Sequence, residues 1–493
     1  MKNLKKLTIL HSNDMHGDFL SKEVDQKLTG GVSMLSGYIQ QARKESENVI
    51  YAIAGDMFRG SLIDSEFKGI STIEIMNLLG PDVVTLGNHE VDYGLAHLLF
   101  VEKCAAFPII NANLYITVNH KRLFRSHIIL KVGGMKILFI GILTEEVLNS
   151  TRQDEIIGSL VDVQDAAREV GRICNSYRTT DIDFTVLLTH IGFESDKKLA
   201  AALDPRWGVD VIIGGHSHTL LEKPEVVAGI PIVQAAVGTS QIGRFDIMVD
   251  TDRNCIDSYE WNLIPIDEAH CPRDRELEAV IEKYKTVTDA KYGRIVTRFL
   301  RTYTHPARNM PTDLGGIFAD ALRGSLDIDV MFLASGSVRR KEVGPMVTLQ
   351  DLMEAFPYDQ ELYRMNVTGK QLRQMLGYIL RPQAFIGETE FFQYSRGFLV
   401  RYDREKQILE EVSLEGKEIA DDQIVRIGVQ AYFAGNLPDF FGITKEEVER
   451  NGPIEEISTS CFDLAEEYFS QQRLIRVGKK PRLVITPPVE RKE

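Results

Sequence analysis

The 493-residue sequence predicts an α/β protein of more than one domain, and three observations support this class. The length exceeds what one hydrophobic core ordinarily holds, so two or three domains are expected. Up to about residue 265, apolar runs of strand length alternate with amphipathic helical stretches, an order typical of α/β domains. Histidine usage then divides the chain, because ten of the eleven histidines lie at or before residue 270.

Composition and charge restrict the class of function. An apolar fraction of 44% and a charged fraction of 26% predict a soluble globular protein. The formal charge of −14 argues against nucleic-acid or membrane partners, which require clustered lysine and arginine, but it permits a small anionic substrate. Only the four residues 7–10 follow the basic N-terminal segment before polar residues return, too few for a secretory leader. The five cysteines are scattered without a CxxC pair, and we expect reduced thiols and a cytoplasmic protein.

The first domain is predicted to span residues 1–270. Helices are expected over 31–46 and 165–178, between strands. The segments 232–238, 244–250 and 258–266 follow one another without helices, so they predict antiparallel strands that complete a sheet. A charged amphipathic helix over 273–290 then predicts a linker, 271–293, which closes the domain.

Residues 294–493 predict a second α/β region. Thr312 and Thr368 each precede a helical stretch, where threonine is a favoured N-cap. Strands are expected over 329–337, 398–403 and 424–433. With a single histidine in this region, any role it has in function rests on other side chains.

Five polar clusters stand directly after strand-like runs of the first domain, and they are the main functional signal. They contain Asp14 and His16, then Asp56, then Asn88 and His89, then His190, and finally His216 and His218. In open α/β sheets, ligands bind at the carboxyl ends of the strands. We therefore expect these side chains to meet at one edge of the domain.

Asp, Asn and His are the ligands that hold a pair of divalent metals. We expect Asp56 to bridge two cations, with Asp14, His16 and His218 on one and Asn88, His190 and His216 on the other. Two carboxylates against two divalent cations leave a positive site that suits a phosphate. Each motif alone is more often a turn or a helix cap, but five of them in one half of the chain are poorly explained by coincidence.

This set of motifs resembles that of the calcineurin-like metallophosphoesterases. The segments TILHSNDMHGD, AGDMFRGS and GNHEVDYG resemble the bacterial 5′-nucleotidase and UDP-sugar hydrolase branch. The resemblance covers the whole chain. It implies a catalytic β-sandwich flanked by helices, a linker helix and a C-terminal α+β substrate-binding domain. It also implies two divalent metal ions on the seven residues above, with Mn, Zn or Co expected and Mg as a further option.

The resemblance assigns His89 and Asp92 as a catalytic pair. An imidazole titrates in the range that suits proton transfer to a leaving oxygen. Asp92 would hold the other ring nitrogen and favour the protonated ring, while a metal-bound hydroxide attacks phosphorus. The alternative for His89 is a histidine that only supports the metal ligands.

In the second domain, the resemblance implies a nucleoside site. Tyr358 and Phe433 would stack on the base, Asp439 would bind the ribose hydroxyls, and Arg339 would hold a phosphate. The alternative for the two aromatic rings is a place in the core. Gly316 stands where many relatives carry an arginine, and Arg308 or Arg340 could replace that charge.

The expected function is that of a 5′-nucleotidase, which releases phosphate from nucleoside monophosphates in nucleotide catabolism. The alternatives are a UDP-sugar diphosphatase, a 2′,3′-cyclic nucleotide phosphodiesterase and, from a different class, a non-catalytic nucleotide-binding protein. The expected partner is a small nucleotide substrate, with neither nucleic acid nor membrane. The oligomeric state stays open.

Overall fold

A computed structural model describes residues 2–24, 26–116, 121–144, 163–324, 326–357, 359–478 and 480–488. The chain forms two compact units, Met1–Thr288 and Asp289–Glu493. The predicted linker helix is present as Arg275–Tyr292, and its Leu277 and Ile281 pack in the core of unit 1. The domain bounds 1–270, 271–293 and 294–493 stay a prediction. No helix among the described residues combines the length and hydropathy that a bilayer span requires.

Fourteen strands of unit 1 are labelled here in chain order. They are β1 (Leu4–Ser12), β2 (Lys22–Val24), β3 (Lys27–Thr29), β4 (Val49–Ala54), β5 (Val83–Thr85), β6 (Ile109–Ile110), β7 (His127–Val132), β8 (Met135–Leu143), β9 (Phe184–His190), β10 (Val211–Ile213), β11 (Glu225–Val227), β12 (Ile230–Val233), β13 (Gln241–Asp250) and β14 (Cys255–Pro265). The α-helices are Val32–Glu45, Leu62–Phe67, Ile70–Leu79, Leu95–Cys104, Val163–Ser176, Phe193–Ala202 and Arg275–Tyr292.

Two six-stranded sheets form the centre of unit 1, in the orders β14-β13-β1-β4-β5-β6 and β11-β12-β10-β9-β8-β7. β1, β4, β5 and β6 run parallel, and so do β8, β9, β10 and β12. Antiparallel strands complete the edges of both sheets. The expectation for 232–238 was wrong, because β12 pairs in parallel with β10 in the second sheet. Only β13 and β14 continue as antiparallel strands of the first.

An apolar layer lies between the two sheets, and it takes side chains from both. Leu7, Ile9, Ile50 and Phe245 of the first sheet pack with Phe139, Val186 and Ile213 of the second. The helices Val32–Glu45, Ile70–Leu79 and Leu95–Cys104 cover the outer face of the first sheet. The helices Val163–Ser176 and Phe193–Ala202 cover that of the second. The α/β/β/α sandwich is therefore confirmed.

The described residues of unit 2 form thirteen further strands. They are β15 (Ile295–Arg298), β16 (Tyr303–Thr304), β17 (Val330–Ala334), β18 (Glu342–Val343), β19 (Met346–Thr348), β20 (Leu362–Thr368), β21 (Phe392–Tyr394), β22 (Phe398–Asp403), β23 (Ile408–Leu414), β24 (Lys417–Glu418), β25 (Ile424–Gln430), β26 (Glu455–Ser458) and β27 (Leu483–Thr486). The α-helices are Asp313–Arg323, Leu349–Ala355, Gly369–Ile379, Pro382–Ile386, Ala431–Ala434, Leu437–Phe441, Lys445–Glu449 and Cys461–Gln471.

A mixed five-stranded sheet, β21-β17-β25-β20-β26, and a four-stranded sheet, β24-β23-β22-β27, organise unit 2. Thr312 and Thr368 cap their helices as predicted, accepting from the backbone N–H groups of Gly315 and Gln371. The strand expected over 424–433 ends at Gln430, because residues 431–434 turn into a short helix. The α+β character of the second domain is confirmed.

His11 is a buried histidine on β1, outside the predicted clusters. Its ring stacks on Trp261 of β14, with 5.3 Å between the ring centroids. Neither ring nitrogen has a hydrogen-bond partner among the described residues. Burial lowers the pKa of His11 to about 3, so the folded protein keeps this ring neutral at moderate acidity.

This ring should make the stability of the protein depend on pH. In the unfolded protein, His11 has an ordinary pKa near 6.5 and is protonated below that pH. In the folded protein, the ring stays neutral until the pH approaches 3. Stability is therefore lost as the pH falls below the unfolded pKa. Between pH 7.5 and 5, wild type should lose about 2 kcal/mol more unfolding free energy than His11→Leu. Urea unfolding at both pH values measures this, and parallel losses in the two proteins would contradict it.

Candidate metal centre

The five polar clusters come together where strands of both sheets end. β1, β4 and β5 of the first sheet precede the clusters that contain Asp14, Asp56 and Asn88. β9 of the second sheet ends at His190, and β10 precedes His216. Because the two sheets face one another, one rim of the sandwich collects side chains from segments far apart in the sequence.

Three groups of side chains place metal-ligating atoms within 4.8 Å of one another. The groups are Asp14 with His16 and His218, then His16 with Asp56 and His89, and then Asp14 with Asp56 and His190. Since they share members, they form one continuous cluster. Asn88 joins it because its Oδ1 atom lies 3.2 Å from His190 Nε2, and His216 joins it because the same oxygen lies 2.8 Å from His216 Nδ1. All seven residues predicted as ligands therefore lie together.

The first part of the cluster surrounds Asp14. Its Oδ1 atom lies 3.4 Å from His218 Nε2, and its two carboxylate oxygens each accept from the backbone N–H of His216 at 3.0 Å. The Nε2 atoms of His16 and His218 are 3.2 Å apart. His16 Nδ1 donates to the Arg59 carbonyl at 3.0 Å, which leaves a lone pair on His16 Nε2. Two imidazole nitrogens that face each other beside a carboxylate fit a shared cation.

Asp56 lies between the two predicted ligand sets. Its Oδ2 atom is 3.8 Å from His16 Nε2 and 3.2 Å from His190 Nε2. Asn88 Oδ1 lies 3.2 Å from the same His190 nitrogen. His190 Nδ1 donates to the Ala54 carbonyl at 2.8 Å, so its Nε2 is the free ligand atom. This is the position that a bridging carboxylate requires.

The charges of the cluster favour a cation. Burial by itself would lower the pKa of His190, but the carboxylates of Asp56 and Asp14 raise it to about 9. Burial raises the pKa of Asp56, yet His190 and the backbone N–H of His89 lower it below its ordinary value. The pocket thus stabilises positive charge strongly, and a divalent cation that binds there would displace the His190 proton.

Backbone conformation aims several of these ligands. Asp14, His16, Asp56, His216 and His218 all have positive φ angles, between 48° and 79°. This left-handed conformation is unfavourable for residues other than glycine, and it is concentrated at functional sites. Gly87 is equally constrained, because a Cβ atom there would lie 2.1 Å from Asp56 Oδ1. These constraints fix the backbone of the rim and therefore the positions of the predicted ligands.

His89 and Asp92 form the predicted pair. His89 Nδ1 lies 2.8 Å from Asp92 Oδ2, on a short 3₁₀ turn, His89–Val91. The hydrogen bond to Asp92 raises the pKa of His89 against the effect of burial. Burial also tends to raise the pKa of Asp92, but the bonds from His89 and Arg59 outweigh it and lower this pKa. The pair therefore favours a charged imidazolium at the edge of the cluster.

Two family models match the chain. The model described as calcineurin-like phosphoesterase matches residues 7–220, and the model described as 5′-nucleotidase, C-terminal domain, matches residues 288–441. The chain is a calcineurin-like phosphoesterase with a 5′-nucleotidase C-terminal domain. Members of this family are metal-dependent phosphoester hydrolases, and the chain belongs to that enzyme class.

Individual proteins agree with this assignment. A snake venom 5′-nucleotidase from Gloydius brevicauda is 28% identical over 447 residues, which cover 81% of this chain and 74% of the relative. A 5′-nucleotidase from Mus musculus is 25% identical over 545 aligned positions, 97% of this chain and 90% of the relative. The structure of a 5′-nucleotidase precursor from Thermus thermophilus superposes with a TM-score of 0.65 at 21% identity, covering 98% of this chain and 100% of that one. The structural likeness shows the fold.

Two residues that support the phosphoesterase ligands were not among the predicted site residues. Asn13 is buried and donates to Asp14 Oδ2 at 2.7 Å, while its own Oδ1 accepts from the backbone N–H of Ala235 at 2.9 Å. Glu90 is also buried and accepts from the backbone N–H groups of Asp56, Met57 and Gly87 at 3.0, 2.7 and 2.5 Å. Asn13 stands beside the predicted ligand Asp14 in the sequence and Glu90 stands beside His89, and that adjacency was the available signal.

The phosphate-binding turn predicted in the nucleotidase domain lies directly after β17. Arg339 is exposed, and its backbone N–H donates to the Ala355 carbonyl at 2.8 Å. Arg340 forms an ion pair with Asp351 and lies 3.5 Å from Glu354. Of the two suggested replacement cations, Arg340 is therefore already neutralised. Arg308 and the predicted ribose ligand Asp439 both line a cavity of about 400 Å³.

Two aromatic rings, those of Tyr358 and Phe433, were predicted to stack on the base, and the structure describes only one of them. Tyr358 lies outside the described residues. Phe433 is only 7% exposed and packs against Phe392 and Phe440, so the structure places it in the core and leaves little ring face for a base. The neighbouring ring of Tyr432 is 58% exposed. The alternative of a core position for Phe433 is the one that its packing supports.

Gly316 contacts an arginine from a distant part of the chain. Arg482 Nη1 donates to the Gly316 carbonyl at 2.6 Å, and the guanidinium group forms a two-point ion pair with Asp320 at 2.7 Å. A Cβ atom on Gly316 would already lie 3.0 Å from Arg482 Cζ. The space beside this helix is thus filled by a guanidinium group that is bound to Asp320.

Removing the bridging carboxylate should remove metal. In Asp56→Asn, the shared anionic ligand is lost, so metal content after dialysis against a manganese salt should fall by at least half relative to wild type. Elemental analysis of the dialysed protein measures this. His127→Gln is the matched control, since His127 bonds to Tyr177 at 2.7 Å outside the cluster. Equal metal content in Asp56→Asn and wild type would rule out the bridging position.

Proposed function

We propose that the protein is a 5′-nucleotidase that releases phosphate from nucleoside monophosphates with two divalent metal ions. The observation that supports it most directly is the proximity of His89 to the metal cluster. His89 shares a group with His16 and Asp56, so an acid–base side chain stands beside the predicted ligands. A non-catalytic nucleotide-binding protein would have no need of this arrangement.

The donor set supports the choice of metal. Nitrogen from imidazole and oxygen from carboxylate and amide groups favour Mn, Zn or Co, with Mg as the weaker alternative. When bound, the metals would supply the Lewis acidity that neutralises a phosphate and activates water. The use of Mn, Zn or Co by the protein in the cell is part of this proposal.

The protein's own residues would carry the proton and the orientation. Asp92 occupies His89 Nδ1, so Nε2 is the atom that would donate a proton to the leaving oxygen. Asn13 and Glu90 would hold the ligand loops in place while the phosphate binds. In the nucleotidase domain, the cavity lined by Arg308 and Asp439 would recognise the nucleoside portion of the substrate, with Arg339 as a phosphate contact. Nucleotide catabolism in the cytoplasm is the setting that we propose for this reaction.

A substrate panel tests the reaction class. The metal-loaded protein should release phosphate from AMP and UMP faster than from an aryl phosphate, since only the nucleotides can use contacts in the nucleotidase domain. A UDP-sugar and a 2′,3′-cyclic nucleotide represent the two enzymatic alternatives. Phosphate release and product chromatography, each with Mn, Zn or Mg, provide the measurement. Turnover of the aryl ester alone would defeat the nucleotide assignment.

Substitution of the proton donor tests the mechanism. In His89→Asn, kcat for AMP should fall by about 10²–10⁴-fold, the usual contribution of a positioned acid–base group. Metal content should stay at the wild-type level, because His89 is not one of the seven predicted ligands. Elemental analysis and steady-state kinetics on the same preparation separate the two effects. Unchanged turnover with the metals retained would remove His89 from the mechanism.

A further inference from the structure

Glu390 is a half-buried carboxylate of unit 2 that the proposed mechanism does not use. Its Oε1 atom accepts from the backbone N–H of Gly336 at 2.9 Å. Gly336 is the central residue of the 3₁₀ turn Ser335–Ser337, directly after β17, where the sequence predicted a phosphate site. A carboxylate of the protein itself therefore already binds a backbone donor of this turn.

The neighbouring donors of the turn also have partners. The backbone N–H of Ser335 donates to the Phe391 carbonyl at 2.7 Å, and that of Val338 donates to the Ser335 carbonyl at 3.2 Å. A Cβ atom on Gly336 would lie 3.0 Å from Glu390 Oε2, so the carboxylate also covers the glycine. Phosphate-binding turns offer free backbone N–H groups to the anion. In this turn, three such groups are used within the protein.

Glu390 also lines the cavity of about 400 Å³ in unit 2. Two arginines and three carboxylates line this cavity, which gives a formal charge of −1 when all five are ionised. These residues are Arg308, Arg381, Glu388, Glu390 and Asp439. The cavity therefore has no excess of positive charge for an anion.

The two arginines of the cavity already interact with other groups. Arg381 Nη1 donates to the Tyr378 carbonyl at 2.6 Å, and the guanidinium carbon lies 3.9 Å from the centre of the Tyr378 ring. Burial raises the pKa of Glu390, and the N–H of Gly336 and the positive charge of Arg308 oppose this rise. Arg308 and Glu390 thus compensate one another before any ligand binds.

A phosphate that entered this cavity would meet the like charge of Glu390. Water screens such repulsion only weakly in a partly buried site. The phosphate would also have to displace the carboxylate before it could bind the N–H of Gly336. Ribose hydroxyls and the N–H groups of a base, in contrast, are donors that carboxylates accept. The cavity therefore suits an uncharged nucleoside better than a phosphate.

We infer that Glu390 is a specificity-determining residue that excludes a second phosphate, or any other anionic group, from the cavity of the nucleotidase domain. This inference rests on the proposed function and deepens it. The preferred substrates would be phosphomonoesters with an uncharged remainder, whose single phosphate lies at the metal cluster.

Paired substrates test the inference. The manganese-loaded enzyme is assayed with AMP and with ADP, which share base and sugar, by initial rates of substrate loss. In wild type, kcat/KM for ADP should be at least tenfold below that for AMP. In Glu390→Gln, the charge is lost while the side chain can still accept from Gly336, so the ratio of ADP to AMP should rise at least fivefold. In Glu390→Ala, the N–H of Gly336 is also freed, and the rise should be larger.

Glu388→Gln is the matched control. Glu388 lines the same cavity, but it is exposed, so water screens its charge. The ratio of ADP to AMP should change less than twofold in this variant. An equal rise in Glu388→Gln and Glu390→Gln would assign the effect to the total charge of the cavity and would overturn the role of Glu390.

A binding measurement gives a second readout. Calorimetry with a methylene-bridged ADP analogue should show at least fivefold tighter binding to Glu390→Gln than to wild type. A glutamate that only stabilises the turn would act differently, because its loss would lower turnover of AMP and ADP alike and would not strengthen binding of the analogue. That result would contradict the inference.

The outcomes for the two proposals differ. If wild type cleaves neither AMP nor ADP with metal bound, the proposed function fails and the inference fails with it. If wild type cleaves AMP and the Glu390 variants leave the ratio of ADP to AMP unchanged, only the inference fails. Should Glu390→Ala not fold, the nearly isosteric Glu390→Gln decides. Wild type alone also provides a test, because equal kcat/KM values for ADP and AMP would show that no exclusion exists.

Discussion

Charge compensation around Asp14 and Asp56 is the constraint on which the catalytic half of the protein depends. Two carboxylates that are almost completely buried stand close to the same imidazole, that of His190. Burial of ionised groups is unfavourable unless opposite charge or hydrogen-bond donors are nearby. Backbone N–H groups, Asn13 and the histidines supply part of this compensation, and cations would supply the rest. The packed sandwich thus holds this anionic pocket in one conformation.

The two-sheet arrangement explains how the pocket is assembled. Parallel strands of each sheet end at the same rim, so short loops suffice to bring together residues as distant as Asp14 and His218. The apolar layer between the sheets holds the two sets of strand ends in register. Rigid placement of this kind suits a site whose ligands must be held within a few tenths of an ångström.

Sequence reasoning could predict the features that depend on local patterns. Strand-like runs followed by polar clusters were sufficient to predict the α/β class and the meeting of the seven ligand residues, whereas the two-sheet sandwich was implied only by the family resemblance. The sheet to which β12 belongs was predicted wrongly, because the sequence of a short apolar strand does not indicate which strand it pairs with. The bond between Arg59 and Asp92 was not predicted, because it depends on a left-handed turn at Arg59. Phe433 was predicted to stack on a base, but the sequence could not show that its ring is buried while that of the neighbouring Tyr432 is exposed.

The contact between Gly316 and Arg482 has an evolutionary consequence. The family resemblance implied an arginine where this chain has Gly316, but here the neighbouring volume already contains the guanidinium group of Arg482. A second long cationic side chain would meet both steric overlap and like-charge repulsion. Residues 316 and 482 are therefore expected to be epistatic, because a long cationic side chain at position 316 fits only if the side chain at position 482 also changes.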